Sequence, residues 1–321
     1  MTRVTSALVL SSALALGLVG TPAQAQSLRT HVSAANGNDA NDCSRATPCR
    51  TFQGAHDKTS ADGEITVLDP GGYGGMIISK SISIVNDGVG EASMLVSGGG
   101  NAITINAGAG GYVNLRGITI QGIGFGGGNG IVVNSAFAVT ITDCVIRNLY
   151  PPGHGILVQS TVSNSLSVTN TLVADNAGSG IRIVPSGSNL AVKATLSRIG
   201  SYNNHSGFLI DSGSTSGGKI NVSIVDSVAA NNVEGVRVVS GTNLTEAPAN
   251  VMVVRSVIAN NGVGLSTNRP TAEILVTQSA VTGNTTSWSA TNASFVGSYG
   301  DNNINFNGDS PEPNPPLTAK R

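Results

Sequence analysis

His154 stands between two glycines in Tyr150-Pro-Pro-Gly-His-Gly, immediately before the apolar run Ile156–Val158. An imidazole titrates near neutral pH, so a histidine on a turn is a candidate general acid or base. Cutting a glycosidic bond takes more than that. It needs two carboxylates facing the scissile bond, or a carboxylate-bound calcium with a base beside a uronate proton. The chain has 18 acidic residues, no two of them adjacent, and Asp143, the nearest acid before His154, stands alone. Gln159, Arg182, Asp211 and Arg237 follow at repeat spacing and are expected on one outward face, with Asp211 between two guanidiniums. One carboxylate between two cations is a poor calcium site and reads as a surface ion-pair ladder. No metal or other cofactor is therefore expected, Ca2+ being conceivable but without support in the sequence.

Two long turns add a different kind of chemistry. "GIGFGGGNG" (Gly122–Gly130) and the turn from Asn148 to Gly155 bring Phe125, Tyr150 and His154 to the same edge. Aromatics make up only 4% of the chain. Sugar rings stack on aromatic faces, and binding residues concentrate on loops held by a rigid scaffold. Phe125, Tyr150, His154, Gln159, Arg182, Asp211 and Arg237 are accordingly the candidate substrate-binding set, with no catalytic residue assigned. Folding of Phe125 and Tyr150 over the coil edge as simple packing is the alternative.

The elements that position these residues come from a repeat. Gly130, Gly155, Gly180, Gly207, Gly235 and Gly264 each precede an apolar strand-like run, at steps of 25, 25, 27, 28 and 29. Asn148, Asn176, Asn204 (or Asn203), Asn232, Asn261 and Asn284 keep step with them. Alternating apolar residues within each period, as in "AVTITDCVI" then "GILVQ", mean short strands. Stacked at strand spacing, they form a parallel β-helix. Ile131, Ile156, Ile181, Phe208, Val236 and Leu265 are expected as one inner row, and Val133, Val158, Ile183, Ile210 and Val238 as a second. Cys144 is expected as a small buried hydrophobe in a row with Leu172, Val228 and Val257. The Asn column is read as an amide ladder at a left-handed bend, and the Gly column as a site of positive φ. Both columns are therefore set aside as structural.

Residues 1–25 read as a signal peptide: Arg3, an apolar run from Ala7 to Val19, and small residues Ala23 and Ala25 before Gln26. No second run long enough to span a bilayer follows, so a periplasmic or extracellular protein without a membrane span is expected. Net charge is −1 and no basic cluster appears, which argues against a nucleic-acid partner. Export permits a disulfide between Cys43 and Cys49, worth about 2 kcal/mol for so small a loop. Thr51–Ser60 is expected as an N-terminal capping helix before the strand "EITVLD", Trp288 as part of the closing coil, and the Pro-rich end as disordered. The domain reading is a signal peptide over 1–25 and a β-helix over 26–306, whose residues 26–63 form the cap. The tail covers 307–321. The oligomeric state is left open.

The stretch "HVSAANGNDANDCSRATPCRTFQGAHDKTSADGEITVLDPGGYGG" resembles the opening of pectin-lyase-like right-handed parallel β-helix proteins. The mature chain as a whole resembles the small exported β-helix repeat proteins of rhizobial-type bacteria. That resemblance implies an all-β fold: a single-stranded, right-handed parallel β-helix of about nine coils with a short N-terminal helix. The superfamily implies lyases, hydrolases, epimerases and non-catalytic adhesins, so fold does not choose among them. Gly-His-Gly is also one of four short polygalacturonase signatures. The others, Asn-Thr-Asp, Asp-Asp and Arg-Ile-Lys, are missing, Arg182-Ile183-Val184 lacking the Lys. The reading that follows is a non-catalytic binder of polysaccharide or a cell-surface polymer. A polysaccharide lyase or glycosidase with a non-standard site, and a structural or adhesive surface protein, are the alternatives. A carboxylate within reach of His154, Arg182 or Arg237 would favour the enzyme.

Overall fold

The computed structural model describes residues 26–124, 127–309, 315 and 317–319; the expected leader and Phe125 lie outside them. Every pairing between named strands is parallel, and each coil stacks on the next. A nine-stranded sheet takes one strand from each coil, so eight turns separate its first strand from its last. A 19-stranded sheet takes the other two segments of the coils. Among the described residues, no helix is long and apolar enough to cross a membrane.

Both expected inner rows form. Ile131, Ile156, Ile181, Phe208, Val236 and Leu265 are in register from coil to coil, as are Val133, Val158, Ile183 and Ile210. All are at most 1% exposed, and each fully buried aliphatic side chain of this size contributes about 1.5–3 kcal/mol. The wide sheet supplies the facing layer, for example Ile141, Val168, Leu196, Ile224, Val253 and Val276.

Three columns differ from the expectation. First, "AVTITDCVI" is not one strand. It bends at Asp143, whose φ is 56°, into Ala138–Thr142 and Val145–Arg147. Asn170, Arg198, Asp226, Arg255 and Gln278 make the same left-handed bend in later coils. The alternation restarts there, so Cys144 stacks with Thr171 in a column that passes through Ile199 and then the hydroxyls of Ser227, Ser256 and Ser279. Leu172, Val228 and Val257 pair instead with Val145's column, and Leu172 and Val257 face outward. Cys144 itself is buried, and burial pushes its thiol pKa up to about 11.

Second, the asparagine column is two columns. Asn176, Asn204, Asn232, Asn261 and Asn284 are buried, and each Nδ2 donates to the next Oδ1 at 2.9–3.3 Å, ending on Asn307. Each Oδ1 also accepts a main-chain N–H from the coil before, as in Asn204 N to Asn232 at 2.9 Å. The left-handed bend belongs to the preceding residue: Asn148, Asp175, Asn203, Asn231 and Asn260, with φ between 53° and 59°. Asn148 is thus a bend residue, and Leu149 occupies the ladder position, its N–H bonded to Asn176 Oδ1.

Third, the repeat glycines do not have positive φ. At Gly130, Gly155, Gly180, Gly207, Gly235 and Gly264 a Cβ would lie 2.4–2.8 Å from a carbonyl oxygen of the adjacent coil. Glycine is there because neighbouring coils leave no room for a side chain.

The ends are capped. Helix Phe52–Lys58 starts at Thr51, whose side chain accepts from Gly54 N, and it buries Phe52 and Ala55. The Cys43–Cys49 disulfide closes the loop before it. At the other end Trp288 pairs with Leu265 in register, and Thr318 N donates to Ser298 O.

Candidate functional site

A long turn on the ladder edge borders a surface groove. Seven residues separate bend residue Asn148 from Gly155, against five from Asp175 to Gly180 and four from Asn203 to Gly207. The extra length lifts Tyr150, 52% exposed, beside a groove of about 530 Å³ that also involves Ile123, Asn148, Asp175 and Asn203. Asn203 Nδ2 donates to Asp175 Oδ1 at 2.8 Å, which fixes both polar heads at the surface. Among the described residues, Asp175 is the one acidic residue lining this groove. An exposed phenol, an exposed aliphatic and a row of amide and carboxylate groups can together hold the apolar face and hydroxyls of a sugar.

His154 lies at the far end of the same turn, stacked between Asn129 and Ser179. It is 9% exposed, and its ring fills the space above Gly178, where a Cβ would come 2.5 Å from Nδ1. Nδ1 accepts from Ser179 N at 2.9 Å, and Nε2 lies 3.1 Å from Nη1 of Arg182. Burial first, then the charges of Arg182 and His205, lower its pKa to about 4, so the ring is neutral at physiological pH. Such a group is a weak base and no acid at neutral pH.

The remaining candidates do not form the expected cluster. Arg182 pairs in register with Leu157 and Leu209, and Leu209 with Arg237. Leu209, not Asp211, therefore lies between the two arginines. Gln159 and Asp211 sit two residues further along their strands, at the next outward position. Gln159 donates to Asn134 Oδ1 at 2.9 Å, and Asp211 accepts from Gly213 N at 2.9 Å. Arg237 is held by Glu234, its Nη1 at 2.8 and 3.0 Å from the two carboxylate oxygens. Ser266 also donates to Glu234, at 3.2 Å.

Glu234, Asp175 and Asn203 are the residues the sequence reading passed over. Asn203 had been set aside with the asparagine column, whereas Asp175 and Glu234 stand immediately before members of the asparagine and glycine columns. Their signals were present: an acid three residues before an arginine on one strand, and the first member of an Asn-Asn pair, which takes the bend and faces out. Among the described residues no three His, Cys, Asp or Glu side chains converge as a metal site would require.

No protein-family model and no curated protein sequence matches the chain. Among solved structures, pectate lyase Pel9A is similar over 92% of this chain and 78% of its own, with TM-score 0.50 and 18% identity. A rhamnogalacturonan lyase is similar over 84% of this chain and 75% of its own, with TM-score 0.46 and 14% identity. The fold is that of the pectin-lyase-like right-handed parallel β-helix.

Proposed function

We propose that this chain is an exported β-helix protein that binds a polysaccharide along the Tyr150 groove without cleaving it. The observation that carries the reading is Tyr150 itself, exposed beside a groove whose polar lining is amide-rich. Supporting it, the similar fold of a pectate lyase links this type of solenoid with a polysaccharide. The stacked coils also repeat their surface at about 4.8 Å, which suits an extended polymer. Against cleavage, Asp175 is the one acid of the groove among the described residues and is bonded to Asn203, whereas hydrolysis needs two carboxylates at the bond. The disulfide and the expected leader support export.

One contact favours the enzyme alternative: the Glu234 carboxylate within bonding distance of Arg237. The two neutralise each other, and the ion pair leaves no free base.

The test is retention of residues 26–321 on a panel of immobilised polysaccharides, with product analysis, for the parent and Tyr150→Ala. Loss of a stacking contact worth about 1.4 kcal/mol corresponds to about tenfold weaker retention. Equal retention of the variant, or none by the parent on any polymer, contradicts the binding reading. Release of unsaturated or reducing-end product, lost in Glu234→Gln, establishes the enzyme instead.

A further inference from the structure

Both ring nitrogens of His154 face hydrogen-bond donors. The main-chain N–H of Ser179, 2.9 Å from Nδ1, can only donate, and so can the guanidinium Nη1 of Arg182, 3.1 Å from Nε2. A neutral imidazole carries one lone pair and one N–H, so it can accept from only one of them. The Ser179 N–H is fixed by the coil backbone, which makes Nδ1 the acceptor. The ring proton then sits on Nε2, pointing at another donor.

Two further features mark the same spot. Arg182 Nε is buried and has no hydrogen-bond partner. Among the described residues no carboxylate lies within ion-pair distance of Arg182, whereas Arg237, two coils away on the same row, is neutralised by Glu234. The pair His154–Arg182 therefore presents adjacent donors, one of them cationic, with no acceptor between them. An anionic acceptor turns that unfavourable contact into two charge-assisted bonds.

We infer that His154 Nε2–H and the Arg182 guanidinium together bind a carboxylate of the ligand, one oxygen to each donor. This rests on the polysaccharide reading and makes the polymer an anionic one, with uronate-type carboxylates, met at the end of the turn that carries Tyr150. Arg182 supplies the charge and His154 the direction. An Arg182→Lys change keeps the charge but loses the planar fork.

The experiment compares polyglucuronate with its methyl ester, which keeps the backbone and removes the charge. Binding is measured for the parent, Arg182→Gln, Arg182→Lys and Tyr150→Ala. The assignment expects the parent to bind the acid at least tenfold more tightly than the ester. Arg182→Gln should erase that preference and Arg182→Lys retain part of it, while Tyr150→Ala should weaken both polymers and keep the preference. Equal binding of acid and ester by the parent overturns the carboxylate site and leaves the polymer reading intact. A second arm uses free glucuronate and glucose, with the His154 ring nitrogens followed by NMR. If neither polymer binds, a glucuronate-specific shift absent from Arg182→Gln keeps the carboxylate site while the polymer reading falls. Lack of that shift overturns the site.

Discussion

Replacing Asn232 by alanine tests the division of the asparagine column into a buried ladder and an exposed bend. Its Oδ1 accepts from Asn204 N at 2.9 Å and Asn204 Nδ2 at 3.3 Å; its Nδ2 donates to Ser201 O and Asn261 Oδ1, both at 3.1 Å. Not every partner is orphaned by the change. Asn204 Nδ2 keeps Val173 O and Ser201 Oγ, and Asn261 Oδ1 keeps the N–H of residue 232. The uncompensated losses are the buried Asn204 N–H and one bond to the Ser201 carbonyl. A buried unsatisfied donor costs about 1–3 kcal/mol and an ordinary lost hydrogen bond about 1, so the substitution should cost about 3 kcal/mol. Asn231→Ala is the control. That residue is exposed, lies at φ 59° and has no ladder bond, so its cost is the left-handed penalty of about 1 kcal/mol. Asn148→Ala should resemble Asn231→Ala. Urea unfolding of the three variants, read as midpoint shifts because stacked coils need not unfold in one step, measures the difference. Equal losses for Asn231→Ala and Asn232→Ala would refute the reasoning.

Gly207→Ala places a methyl 2.6 Å from the Gly235 carbonyl oxygen and should destabilise by more than about 2 kcal/mol. Gly108→Ala meets no atom within 4 Å and should cost only its left-handed conformation, about 1 kcal/mol, in the same urea assay. Reducing Cys43–Cys49, or replacing both by alanine, should remove about 2 kcal/mol, read as a lower thermal midpoint. An unchanged midpoint contradicts a closed loop in the native cap. His154 has a folded pKa of about 4 against an ordinary 6.5, so its contribution is fully present above pH 6.5 and is lost as pH falls towards 4. The slope is at most about 1.4 kcal/mol per pH unit. Burial also lowers the pKa of His56, so the readout is the parent's acid sensitivity relative to His154→Gln, which should be flatter over this window. Parallel curves contradict a buried neutral imidazole.

The period and the inner rows were legible because buried strands must alternate, and stacking repeats that alternation coil after coil. Ile131 to Leu265 could be aligned by eye for this reason. What alternation does not report is where the chain bends. Asp143 and its successors take positive φ and restart the alternation, which displaced Cys144 by one residue from its true row. The same blindness merged Asn148 with the ladder, since an Asn at a bend and an Asn in a ladder look alike when each coil offers one or two. The glycines were identified by position, but their cause, the approach of the adjacent coil's carbonyl, is a three-dimensional fact. At the site, Tyr150 and His154 stood out through turn length. Gln159 and Asp211 were placed one outward position short, because positions 157 and 159 share a face and spacing alone does not choose between them. The Glu234–Arg237 pair and the His154–Arg182 contact link different columns, and reading one column at a time conceals both.

The most direct test of the central claim is the dissociation constant of residues 26–321 for polysaccharides of the panel, parent beside Tyr150→Ala, with product assayed in the same vessels. The account predicts that at least one polymer is retained uncut and that Tyr150→Ala weakens it about tenfold. Retention indifferent to Tyr150, or cleavage of the bound polymer, contradicts it.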